Sequence, residues 1–216
     1  MTKIALLDFD SVLFDTDSFS KEIKKTFVSY GISESDYDST RSLFRKHLDN
    51  LGLAYHQERH LDFFEKNLVG FNRPLVTGGL NNLKKEMPRF VYADAVPFLK
   101  TISEKGWKSM ILTLGDSDWQ KEKVSASGVG ALVDDVVVTD DETKVRAAGE
   151  ILEKLKNIES IIFVDDNPYR ALNSVKEYFP IVRTFQLIRP ELESSRVRHE
   201  GCDHDCRGLD EIKKLL

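Results

Sequence analysis

The sequence predicts an α/β protein: a Rossmann-like parallel sheet core, interrupted after its first strand by an inserted all-helical unit. Three observations carry this reading. A continuous apolar run, Ile4 to Leu7, ends in acidic residues, the pattern of a buried parallel strand whose C-terminal end meets solvent. About seventy residues of helical periodicity follow, with no strand pattern among them. Thereafter helix-like and strand-like segments alternate, which implies a parallel sheet covered by helices on both faces.

In the inserted unit, Phe19, Ile23, Phe27 and Tyr30 fall at i, i+4, i+8 and i+11, and Leu61, Phe64 and Leu68 at i, i+3 and i+7, so each run presents one apolar face. Gly31, Gly52, Gly70 with Pro74, and Pro88 divide it into about four helices. The organisation expected is a core of residues 1–16 and 90–216 with a helical unit of residues 17–89. Helices are then expected over 94–105 (stopped by Gly106), 118–126 and 143–156, with strands over 108–113, 134–138 and 160–164 between and after them. Pro168 opens a short helix, 180–185 makes a fifth strand and 209–216 a closing helix. Residues 189–208 read as a loop with at most a short strand.

Length and composition fit this plan. A chain of 216 residues suits one domain plus an insertion, or two small domains. Its net charge of −5 offers no broad electrostatic footprint for nucleic acid, and none is expected as a partner. With 41% hydrophobic residues, including 13 Phe, the chain can bury a sizeable core. Ile4 to Leu7 is too short for a secretory or membrane-spanning segment, so a cytoplasmic protein with no membrane partner is expected, as monomer or homodimer. Two cysteines, Cys202 and Cys206, give no disulfide framework.

Four features fall at strand ends: Asp8-Phe9-Asp10-Ser11-Val12, Thr113-Leu114-Gly115, Lys144 at a helix start, and Asp165-Asp166 after Ile161 to Val164. In a parallel sheet these ends share one edge, so residues far apart in sequence converge. Asp8, Asp10, Asp165 and Asp166 would then crowd negative charges that cannot all stay ionised without compensation, and a bound cation is expected. Carboxylates without clustered His or Cys suit a hard ion such as Mg²⁺. Lys144 adds positive charge, with Lys121 and Lys123 as competitors for its place.

In order and type these motifs resemble the haloacid dehalogenase-like hydrolases, over essentially the whole chain, with the inserted helices corresponding to that family's first-type cap. The resemblance implies a Mg²⁺-dependent phosphatase acting on a small phosphorylated metabolite. Asp8 would attack phosphorus to give an aspartyl-phosphate, and Asp10 would protonate the leaving oxygen and then activate water. It further implies that Thr113 and the backbone N–H groups near Leu114 and Gly115 cradle the phosphate with Lys144. The metal would be held by Asp8, the carbonyl of Asp10, and Asp166, with Asp165 assisting. Ser11 stands where many relatives have Gly, which demands a more restricted backbone. True haloacid dehalogenases lack an aspartate at the Asp10 position, which argues against carbon–halogen cleavage.

A phosphotransferase or mutase would share the first half-reaction, and a catalytically silent phosphate- or metal-binding protein is the remaining alternative. Phosphonate cleavage would need a cap lysine, for which Lys21, Lys24, Lys25 and Lys46 are the candidates. His199, Cys202, His204 and Cys206 offer soft metal ligands at a spacing tighter than usual zinc patterns, and the flanking Asp203 and Asp205 fit an alternating surface strand. In the cap, Arg41, Arg45, Lys46, His47, Arg59 and His60 either grip an anionic substrate or form solvated helix faces; Arg41 and Arg45 share one face.

Overall fold

Alternation of side chains along the first strand, β1 (Thr2–Leu7), sets the layers of the protein. Ala5 and Leu7 point into one hydrophobic cluster, while Ile4 and Leu6 point into another on the opposite face. The computed structural model describes residues 2–155, 157–190 and 200–216. After β1 come α1 (Thr16–Ser29), α2 (Glu34–Leu51), α3 (Gln57–Asn67), α4 (Arg73–Lys85) and a short 3₁₀ turn, Met87–Phe90. The chain continues through α5 (Ala95–Glu104), β2 (Trp107–Leu114), α6 (Ser117–Ala126), β3 (Asp135–Thr139) and α7 (Val145–Lys154). It ends with β4 (Ile158–Asp165), a π-helical turn over Pro168–Leu172, α8 (Asn173–Tyr178), β5 (Val182–Leu187), β6 (His204–Cys206) and α9 (Leu209–Leu215).

The strands form one sheet in the order β3-β2-β1-β4-β5-β6, every pairing parallel. This is the Rossmann-like α/β architecture expected. Apolar residues of α5, α6 and α9, among them Phe98, Leu99, Ile102, Trp119 and Ile212, cover one face. Ala147, Ala148 and Ile151 of α7, with Val175 of α8, cover the other. Because β1 lies centrally and its neighbours β2 and β4 end beside it, Asp8, Thr113 and Asp165 come out at one edge.

Helices α1 to α4 enclose an aromatic interior in which Phe27 contacts Tyr37, His60 and Phe64 at ring-centroid distances of 5.2, 4.8 and 4.8 Å. Truncating a buried phenylalanine of this kind costs about 3–5 kcal/mol. The two crossings between these helices and the sheet lie side by side: Asp15 N–H donates to Phe90 O at 2.7 Å, and Tyr92 N–H to Leu13 O at 3.0 Å. Arg189 clamps both, donating to Val12 O at 2.6 Å and Asp94 at 2.8 Å, with its guanidinium 3.9 Å from the Tyr92 ring centroid.

Candidate active site

Two residues at the site hold backbone conformations that L side chains rarely adopt: Ser11 at φ 60° and Lys144 at φ 58°. Such geometry costs about 1–2 kcal/mol per residue and persists where the surroundings fix it. The Ser11 N–H donates to Phe14 O at 2.8 Å, closing the turn after β1. Before α7, Asp141 accepts from the Thr143 N–H and hydroxyl at 2.9 and 2.7 Å and from the Arg146 N–H at 3.2 Å, shaping the turn that carries Lys144.

Lys144 is buried, and its Nζ reaches Asp8 at 2.9 Å, Asp165 at 2.7 Å and Leu112 O at 3.0 Å. Asp165 is also engaged on its other oxygen, which accepts the Asn167 N–H at 2.8 Å. Ligand oxygens of Asp8, Asp165 and Asp166 lie within 4.8 Å of one another. One ammonium does not balance this charge: burial, and then Asp165 and Asp10 acting against Lys144, push the Asp8 carboxyl up to about 7. Asp165 is raised as well, first by burial and then by Asp166 against the pull of Lys144. An all-carboxylate set short of positive charge fits a hard divalent cation.

The side chain of Asp10 turns away from this trio. Its carboxylate accepts from Thr16, from Gln120 Nε2 at 2.9 Å, and pairs with the buried Lys123 ammonium. Burial raises its pKa, but Lys123, Thr16 and Gln120 together hold it below the usual carboxylate value. Gln120 Nε2 also donates to Leu114 O at 2.7 Å, fixing the amide between strand end and carboxylate.

Asp10 and Leu114 border two chambers. One, of about 210 Å³, is lined by Asp8, Thr113, Lys144, Asp165 and Asp166. The other, of about 330 Å³, lies under the inserted helices and is lined by Thr16, Arg41, Arg45, Tyr55, Trp119 and Lys123 among others. A larger cleft of about 510 Å³, lined by residues of α2 and α3, contains none of the strand-end residues.

A family model describing haloacid dehalogenase-like hydrolases matches residues 2–172. The chain belongs to the haloacid dehalogenase-like hydrolases. No curated protein matches it by sequence. Among solved structures, a haloacid dehalogenase-like hydrolase from Burkholderia xenovorans LB400 superposes with a TM-score of 0.75 at 17% identity, covering 100% of this chain and 97% of that one. The magnesium-bound HAD-hydrolase YfnB from Bacillus subtilis gives 0.67 at 13% identity, covering 100% and 98%. L-2-haloacid dehalogenase from Xanthobacter autotrophicus gives 0.65 at 16%, again covering 100% and 98%. At these identities the likeness is one of fold.

Within this haloacid dehalogenase-like hydrolase the strand-end residues converge as the topology requires, with three differences in detail. The Gly115 N–H donates to Thr139 O at 3.0 Å and so is committed to the sheet rather than to a phosphate cradle. Gly115, at φ 146°, instead makes room for Gln120, whose amide lies 3.0 Å from where a Cβ would sit. The alternation of the parallel ladder leaves the Leu114 N–H on the side where β1 has already ended.

Second, Lys144 and Lys123 are both in the site, on different aspartates, while Lys121 is exposed. Lys123, Gln120 and Thr16 were not legible as partners of Asp10, although Gln120 and Lys123 share a helix face at i, i+3 spacing. Third, the candidate zinc ligands among the described residues do not gather. His199 lies outside the described residues; Cys202 packs on one face of the sheet, Cys206 on the other, and His204 stacks on Phe185 at 4.8 Å. Burial pushes both thiols up to about 11, unfavourable for thiolate ligation. Likewise Lys21, Lys24, Lys25 and Lys46 line neither chamber.

Proposed function

We propose that this hydrolase is a Mg²⁺-dependent phosphatase for a small phosphorylated metabolite, with α1 to α4 as its cap. The observation that carries the reading is the place of Asp10, on the wall common to the chamber of Asp8 and the chamber beneath the cap. An acid–base group belongs beside the bond between a phosphoryl group held at Asp8 and its leaving group. The presence of Asp10 also favours phosphoryl transfer over dehalogenation.

The Asp8 carboxylate attacks phosphorus, forming an Asp8–phosphoryl bond as the bond to the leaving oxygen breaks, and Asp10 gives that oxygen its proton. Asp10 then takes a proton from water as the water oxygen attacks phosphorus, releasing Asp8 and inorganic phosphate. The ionised Asp10 held by Lys123 is the form that acts in this second half. To serve as the acid it must be protonated, which its contact with Lys123 opposes. Thr113, buried in the chamber, offers its hydroxyl to a phosphate oxygen, and Lys144 steadies Asp8. Mg²⁺ would be held by Asp8, Asp166 and the Asp10 carbonyl, with Asp165 in support, and would supply positive charge that offsets repulsion between carboxylate and phosphate.

Phosphate release from a panel of monoesters, with and without Mg²⁺, tests this. Metal-dependent release that disappears in Asp8→Asn is expected. Unimpaired release by the variant, or transfer of the phosphoryl group only to an organic acceptor, would overturn the reading in favour of another site or a phosphotransferase.

A further inference from the structure

The chamber beneath the cap carries more positive charge than its own carboxylates answer. Lys123 is paired with Asp10, and Asp116 with Arg59 at 2.8 Å. Arg41 and Arg45, one turn apart on α2, also line the chamber, and among the described residues neither has a carboxylate within ion-pair distance. Guanidinium groups left in this way at the wall of a chamber suit an oxyanion.

Arg41 is also placed by a rigid support. Its guanidinium lies 5.0 Å from the Tyr55 ring centroid and 5.8 Å from that of Phe44. The Tyr55 hydroxyl meets His60 Nδ1 at 3.1 Å, and the His60 ring is stacked between Phe27 and Phe44 at 4.8 and 5.2 Å. Tyr55 in turn meets Trp119 of the core edge on, at 5.5 Å. A cation held against such a platform loses little freedom when it binds an anion.

We infer that Arg41 and Arg45 form a subsite for a second oxyanion on the leaving group, so that the substrate is a short phosphate ester with two anionic groups (doubly anionic in that sense), the second being a carboxylate or another phosphate. This rests on the phosphatase reading for the position of the first phosphate. A chamber of about 330 Å³ fits a leaving group of metabolite size. Aromatic and aliphatic side chains, Phe19, Ile23, Tyr55 and Trp119, line it between the two charged ends.

The test is calorimetric titration of Asp8→Asn, in Mg²⁺, with glycerol 3-phosphate, 3-phosphoglycerate and propane-1,3-diol bisphosphate, alongside wild-type kcat/KM for the same three esters. One or both doubly anionic esters should bind about 10- to 100-fold tighter than glycerol 3-phosphate. The two doubly anionic probes distinguish a carboxylate from a phosphate as the favoured second charge. Adding Arg41→Gln and Arg45→Gln should erase the preference, whereas Lys46→Gln, on the same helix but outside the chamber, should keep it. Equal affinity for all three, no binding of any, or a preference that survives loss of both arginines overturns the subsite. Arginine-dependent binding without phosphate release by the wild type counts against the phosphatase reading alone; release without the preference counts against the subsite alone.

Discussion

Asp10 and Lys123, 113 residues apart in sequence, form an ion pair of a buried ammonium and a half-buried carboxylate on the wall between the two chambers. Lys123 is almost wholly buried and its ammonium lies 5.3 and 5.4 Å from the ring centroids of Phe9 and Phe14. Replacing it by Met leaves the half-buried Asp10 carboxylate without its cation, a change that costs about 1–3 kcal/mol. Urea unfolding of Lys123→Met should show a loss of that order. A variant as stable as the wild type would mean that Gln120 and Thr16 suffice to hold Asp10.

Gly115 is expected to act through Gln120. A Cβ there meets the Gln120 amide and also strains a backbone at φ 146°, so Gly115→Ala should shift Gln120 from Asp10. Displacements near 1 Å at a catalytic group lower turnover by about 10²-fold. A kcat reduced by about tenfold or more, with the stabilisation by Mg²⁺ retained, is the expected result; unchanged kcat would free Gln120 of any part in placing Asp10.

Magnesium should stabilise the fold, because the carboxylate trio is under-compensated without it. At a concentration about 100 times the Kd, binding to the native state alone contributes about 2.7 kcal/mol. Thermal unfolding should shift upward with Mg²⁺ in the wild type and much less in Asp166→Asn. Equal shifts in both would place the ion elsewhere.

His60 links the cap to pH. Burial among aromatic rings, and then Arg41, hold its pKa well below the usual value. Between that lowered pKa and about 6.5 the unfolded chain binds a proton that the folded chain refuses, so stability rises with pH and is lost as pH falls through the window. Compared with His60→Phe, the wild type should lose stability more steeply as pH falls from about 7.5 to about 5.5. Parallel pH profiles of urea unfolding for the two proteins would contradict the assignment.

The sheet and its chemical edge were readable because long-range order there follows from local pattern. Apolar runs ending at Asp8 and Asp165 have the pattern of buried parallel strands, and parallel strands bring their ends together. Boundaries shifted by a residue or two: β3 runs over Asp135–Thr139 and α7 begins at Val145, because Lys144 takes a left-handed conformation before the helix starts. What local pattern did not carry was pairing between elements of unrelated spacing. Lys123 was named only as a competitor for the place of Lys144, not as the partner of Asp10, and Arg189, the clamp on both crossings, sat in a stretch without periodicity. Of the two readings of the dense His and Cys spacing, the strand is the one seen, as β6, and the two faces of the sheet separate Cys202 from Cys206.

The central claim is tested most directly by trapping the intermediate. Asp10→Asn should be mixed with para-nitrophenyl phosphate in Mg²⁺, a substrate whose leaving group departs without an acid, then quenched in acid and its peptides mapped by mass. A phosphoryl group on Asp8 is expected, building up because the variant lacks the base that activates water. Nitrophenol release with no phosphorylated peptide, or with the label on another residue, would contradict the account.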